Sequence, residues 1–137
     1  MVKVNDYEVK EGLYYHKGHF WVLLESGLAR FGITDYGQKG LKEVVNVELP
    51  EKGSEVKQDE AYGVVESVKA VVDLVAPLSG TVEEIHGDLR DKPTLINQDP
   101  YGEGWLLVVK ASDVENELKN LLTFNDAVNW YKELGPP

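Results

Sequence analysis

Among the side chains of this sequence that can do chemistry, Lys69 has the most informative neighbours. It lies in Gly63-Val64-Val65-Glu66-Ser67-Val68-Lys69-Ala70-Val71-Val72-Asp73-Leu74, where two valine-rich segments flank Glu66-Ser67-Val68-Lys69-Ala70. No Gly, Asn or Pro within Glu66 to Ala70 marks a standard two-residue hairpin turn, so by pattern alone the stretch can also be one long strand. On that reading Lys69 is an ordinary surface lysine. The alternative is a chain reversal that turns its amine outward for covalent modification. Other chemistry finds less support. The chain has no cysteine, which removes disulfides, thiolate nucleophiles and thiolate metal sites, so any thiol chemistry must come from a bound group. Ser67 is separated from Lys69 by Val68 and is no nucleophile with an adjacent base. His16 and His19 stand three positions apart with Glu25 nearby and His86 distant, without the tight ligand pairs of a zinc site, and no metal is expected. Gly102-Glu103-Gly104 is too short for a dinucleotide loop and lacks a strand-to-helix setting. No acid–base or nucleophile constellation points to an enzyme.

The elements that must position Lys69 are mostly strands. FWVLLE, ARFGIT, EVVNVEL, AYGVVESV, VVDLVA, GTVEEI and WLLVVK are short runs rich in β-branched and aromatic residues. Turn signals separate them at Ser26-Gly27, Pro50 to Gly53, Pro77 to Gly80 and Asp99 to Gly102. The β-rich part spans about residues 7–110 and predicts a sandwich or barrel. Thr34 to Gln38 offers a cap and one helical turn, near 34–40. From Ser112 the spacing of Val114, Leu118, Leu121 and Leu122 predicts a helix, capped by Ser112 or Asp113 and placed to cover strand edges. A further helix runs from about Asn125 to Leu134 and stops at Gly135-Pro136. The helical segment is thus 112–134, and residues 1–137 read as one domain.

Two pairs of similar segments suggest an internal duplication. Val47 to Gly53 resembles Leu74 to Gly80, 27 positions on, and Val56 to Gly63 resembles Ile96 to Gly102, 40 positions on. The point relating the halves falls near Lys69.

Composition narrows the class. A net charge of −10 argues against nucleic acid, whose phosphates need clustered Lys and Arg. No apolar run approaches the ~20 residues of a membrane helix. The opening MVKVNDYEVKEG is charged and resembles neither a signal nor a transit peptide, so a cytoplasmic location is expected.

Glu66-Ser67-Val68-Lys69-Ala70, followed by Asp73 and Pro77-Leu78-Ser79-Gly80, resembles the lipoylation site of the glycine cleavage system H-protein family. Gly32-Ile33-Thr34-Asp35-Tyr36, Val47-Glu48-Leu49-Pro50 and Asn97-Gln98-Asp99-Pro100-Tyr101-Gly102-Glu103-Gly104-Trp105-Leu106 follow the same family in order, over about residues 13–134. The Met-Lys-Met of biotinyl carriers, which share the fold, is absent. The resemblance implies a mainly β barrel-sandwich hybrid of two antiparallel sheets with C-terminal helices. It implies lipoic acid as an amide on Lys69, the hairpin being formed by Glu66, Ser67, Val68, Ala70 and Asp73. It also implies a non-catalytic carrier that shuttles an aminomethyl group. The partners would be a pyridoxal-phosphate glycine decarboxylase, an aminomethyltransferase, dihydrolipoyl dehydrogenase, and a lipoate ligase or lipoyl transferase. Glu66 and Asp73 would guide the ligase, with Asp73 matching a family acid near the arm. One departure stands out: in His16-Lys17-Gly18-His19-Phe20-Trp21, Phe20 replaces a family Glu that helps hold the aminomethyl amine, and Gly18 a common Ser. A phenyl ring cannot pair with a protonated amine. The alternatives are an H-like lipoyl carrier for a sulfur-oxidising heterodisulfide-reductase-like system, a lipoate relay, or an unlipoylated interaction module.

Overall fold

The computed structural model describes residues 1–137. The strands are β1 (Val2–Val4), β2 (Tyr7–Val9), β3 (Tyr14–His16), β4 (Phe20–Glu25), β5 (Leu28–Ile33), β6 (Val44–Glu48), β7 (Glu55–Val56), β8 (Ala61–Ser67), β9 (Val71–Val75), β10 (Gly80–Ile85) and β11 (Leu107–Ala111). Four α-helices punctuate them: α1 (Asp35–Leu41), α2 (Leu95–Gln98), α3 (Val114–Glu117) and α4 (Phe124–Glu133). Three sheets result: β1-β2, a six-stranded sheet ordered β3-β4-β5-β11-β10-β7, and a three-stranded sheet ordered β6-β8-β9. The two larger sheets are antiparallel throughout and form a barrel-sandwich hybrid.

The seven strands expected from β-branched runs all form, within a residue or two at their ends. Ser26 and Gly27 have φ of 50° and 81°, the geometry of a tight hairpin turn between β4 and β5. Three departures have physical causes. The β-rich region begins at Val2, because β1, β2, β3 and β7 are two- or three-residue strands too short to show a period. Helix α1 covers seven residues, about two turns, because Thr34 caps it and Leu41 at its far end is buried. The expected helix after Ser112 breaks into the one-turn α3 and a 3-10 turn at Leu118–Asn120, and Asp113 makes no side-chain cap bond. Leu121 is extended, and Leu122 exchanges backbone hydrogen bonds of 2.8 and 2.9 Å with Tyr15 on the edge strand β3. The segment does protect a sheet edge, through a β-bridge and not through a helical stripe.

Two apolar clusters hold these layers. The larger packs the inner faces of the main sheets around Phe31, Leu74, Leu78, Ile96 and Leu106, each at most 0% exposed. The smaller is largely aromatic and joins β2, β3 and β4 to α4 through Tyr7, Tyr15, Trp21 and Tyr131. Of the two repeated pairs, the first holds locally: Val47-Glu48 and Leu74-Val75 end strands that flank β8. The second does not, since Val56 and Ala61 to Gly63 are strand while Ile96 to Gln98 is helix.

Candidate functional site

Strands β8 and β9 meet at a bend whose two central residues are Val68 and Lys69. Ser67 N–H donates to Ala70 O at 2.8 Å, which closes the hairpin. Neither central residue has positive φ, so this is not one of the glycine-dependent hairpin turns. The Ser67 hydroxyl takes over the missing work. Its Oγ accepts from both Lys69 N–H and Ala70 N–H at 3.1 Å, so a serine one residue before the bend substitutes for turn residues within it. Ser67 is buried, whereas Val68 and Lys69 are exposed.

The bend is anchored to the body at two points. Val68 N–H donates to Glu43 O at 2.9 Å, just beyond the β6-β8 ladder. Lys69 Nζ reaches the Gly40 carbonyl of α1 at 3.3 Å. Beside the lysine lies a groove of about 290 Å³, lined by Gly18, His19, Phe20, Ile33, Gly37, Gly40, Leu41, Val65, Ala70 and Val72. No carboxylate lines it. Glycines 37 and 40, one turn apart on α1, leave that side of the helix bare; a Cβ at Gly37 would meet Ile33 Cγ2 at 2.9 Å. A larger hollow of about 830 Å³ opens on the far side of α1, near Asn5, Lys42 and Lys132, and does not include Lys69.

The acids flanking Lys69 do not face this groove. Val65 pairs with Val72 on the groove face, while Glu66 pairs with Val71 and Val64 with Asp73, so alternation sends both carboxylates to the outer face. Asp73, expected to match a family acid near the arm, thus has a strand position on the face opposite the groove. Phe20, by contrast, is 4% exposed and belongs both to the main core and to the groove wall.

The three histidines go to separate places. His16 Nδ1 accepts from Gly18 N–H at 2.8 Å while its Nε2 faces Asp59 Oδ1 at 2.7 Å, which fixes one tautomer of the neutral ring. His86 stacks on Trp105 at 4.3 Å, with Arg30 against the same indole at 4.8 Å. His19, held at φ 75°, stacks between Tyr36 (4.6 Å) and Trp130 (5.3 Å), with Nδ1 3.2 Å from the Tyr131 hydroxyl. Burial pushes its pKa down to about 4, with a smaller push from His16, so the ring is neutral at neutral pH.

Sequence reasoning placed Lys69 and its hairpin neighbours but missed most of the groove. Its signal was available in Gly37 and Gly40, two poor helix formers within one short helix.

Fold and site together define a barrel-sandwich protein that presents an exposed lysine at a hairpin bend beside an apolar groove. The chain belongs to the glycine cleavage H-protein family, whose description, "Glycine cleavage H-protein", matches residues 13–134. It is similar to the "Probable glycine cleavage system H protein" of Pyrococcus abyssi, at 48% identity over 135 residues, with 98% of this chain and 100% of that protein covered. It is 46% identical over 131 residues to "Glycine cleavage system H protein 4" of Aquifex aeolicus, covering 96% of this chain and 76% of that one. A crystal structure of a glycine cleavage system H protein from Mycobacterium marinum superposes with a TM-score of 0.82 at 35% identity, covering 89% of this chain and 98% of that chain. Members of the family are carrier subunits and not catalysts. No helix is long and apolar enough to cross a membrane.

Proposed function

We propose that the chain carries lipoic acid as an amide on Lys69 and shuttles an aminomethyl group between enzymes of glycine cleavage. The observation that carries this reading is a lysine exposed at a hairpin bend, its amine directed along an apolar groove. The residues fit the group. Amidation removes the ammonium charge, and a mostly hydrocarbon arm suits a wall of Phe20, Ile33, Leu41, Val65 and Val72. When bound, the lipoyl group supplies reversible thiol–disulfide exchange, which this cysteine-free chain cannot supply itself. The chain's own contribution is placement. Ser67 and Glu43 fix the bend, and Gly40 O orients the lysine stem. A tethered group also raises effective concentration at a docked active site. The partners are a pyridoxal-phosphate glycine decarboxylase, an aminomethyltransferase, dihydrolipoyl dehydrogenase and a lipoate ligase or lipoyl transferase.

Intact-mass spectrometry of protein from a lipoylation-competent host tests the attachment. One lipoyl mass is expected on the wild type and none on Lys69→Ala. An unmodified wild type makes the chain an interaction module.

Phe20 favours a second reading, a lipoyl carrier serving another pathway. The groove offers a protonated amine no carboxylate. Glycine–bicarbonate exchange with the decarboxylase partner decides between them: exchange by lipoylated wild type supports glycine cleavage. Its absence in wild type, with gain in Phe20→Glu, supports the other pathway.

A further inference from the structure

Lys42, between α1 and β6, has φ 65° and ψ −150°. A side chain makes that region unfavourable, and such backbone persists only where its surroundings impose it. Here they do. Lys42 N–H donates to Gln38 O at 3.1 Å, and Lys42 O accepts from Asn97 Nδ2 at 2.7 Å. The same Asn97 accepts Val44 N–H at its Oδ1, at 2.9 Å. Its amide therefore brackets Glu43, gripping the residue before and the residue after. Nδ2 also lies 3.0 Å from Gln38 Oε1, and Gln38 Nε2 donates to the buried Asp35 at 2.7 Å. Asn97 is itself seated by α2, whose Ile96 is 0% exposed.

Glu43 is the residue whose carbonyl receives Val68 N–H, immediately before Lys69. Gly40, two residues before Lys42, receives the lysine amine. Both anchors of the bend thus lie on the segment that Asn97 and the α1 C-terminus hold in a strained shape. We propose that Asn97 is a positioning residue for the lipoyl hairpin: it holds the 42–44 segment so that the Glu43 carbonyl, and with it the bend, stands at a fixed height above the groove. This rests on the lipoyl reading of Lys69 for its functional consequence but not for its structural one.

The test uses the unmodified chain as wild type, Asn97→Ala, Lys42→Gly and the double variant. Hydrogen exchange of the Val68 amide reports the anchor directly. Lipoate ligase kinetics, with KM and kcat separated, report presentation of Lys69. Asn97→Ala is expected to speed Val68 exchange about tenfold and to lower ligase kcat/KM about fivefold, the factor that corresponds to one ordinary hydrogen bond. Lys42→Gly in the Asn97→Ala background is expected to recover most of the exchange protection, because glycine adopts that φ without strain. A purely structural role for Asn97 predicts no such recovery. Unchanged Val68 exchange in a folded Asn97→Ala protein overturns the proposal, as does equal exchange in the single and double variants. If Asn97→Ala does not fold, Asn97→Asp keeps the acceptor for Val44 N–H, loses both donations, and is held to the same exchange criterion. Wild type left unmodified by the ligase removes the lipoyl reading while the exchange result still decides the role of Asn97.

Discussion

Ser67 decides whether Lys69 stands on a bend or in a strand. Its hydroxyl is the acceptor for two N–H groups that a glycine-based turn would direct elsewhere. Ser67→Ala is expected to cost about 1 kcal/mol, since water can reach the freed amides at the exposed tip. Urea unfolding measures that loss, and the ligase rate on Lys69 should fall with it. His19 gives a second residue-scale prediction. Its pKa is about 4 in the fold against 6.5 unfolded, so between those values the unfolded chain binds more protons. Stability is therefore full above pH 6.5, declines as the pH falls towards 4, and then levels. The loss is of order 1–2 kcal/mol, allowing for the solvent that reaches this half-buried ring. Urea titrations at pH 7 and pH 5 should show it, and His19→Asn, which tolerates φ 75°, should flatten the slope. The placement of Lys69 at an exposed bend was legible through the family resemblance of its neighbours and not through turn residues. The reach of its groove was not, because Phe20, Ile33 and Val72 are ordinary core-type residues whose shared wall exists only after three elements meet.

At the scale of elements, strands announced themselves wherever a run of five or more residues let β-branched side chains recur. All seven such runs form strands. The four missed strands each have too few residues for alternation to register, and they owe their pairing to neighbours. The failed helix after Ser112 is instructive. Val114, Leu118 and Leu121 have helical spacing, yet the backbone of Leu122 pairs with Tyr15, and completing that edge wins over continuing the helix. The contact between β6 and β8 invites a direct test. A Cβ on Gly63 would lie 2.2 Å from the Glu48 carbonyl, a backbone atom that cannot swing aside. Gly63→Ala is expected to destabilise the chain by about 2 kcal/mol or more and lower Tm by roughly 5–10 °C. Calorimetry reads it. A melting curve unchanged from wild type would show that the two strands can separate freely beneath the lysine hairpin.

For the whole molecule, the net charge of −10 meets few compensating ion pairs, such as Lys39–Asp35 at 3.3 Å and the N-terminal amine–Glu11 at 3.0 Å. Raising ionic strength from about 0.01 to 0.15 M shortens the screening length from about 30 to 8 Å. Stability in urea should therefore rise with salt, because self-repulsion outweighs exposed pairs. A fall with salt would reverse that ranking. The aromatic layer has a different consequence. Tyr7 and Tyr36 both donate to Gly135 O, and Tyr7 is 128 positions from that acceptor. A ribosome adding 5–20 residues per second needs roughly 6–25 s to cross that interval. Throughout it the N-terminal hairpin waits without its lid, and β6, β8 and β9, all within 44–75, are added in its first part. The strands of the lysine hairpin thus precede α4 in synthesis, and α4 is the latch that closes over the aromatic layer once it is added.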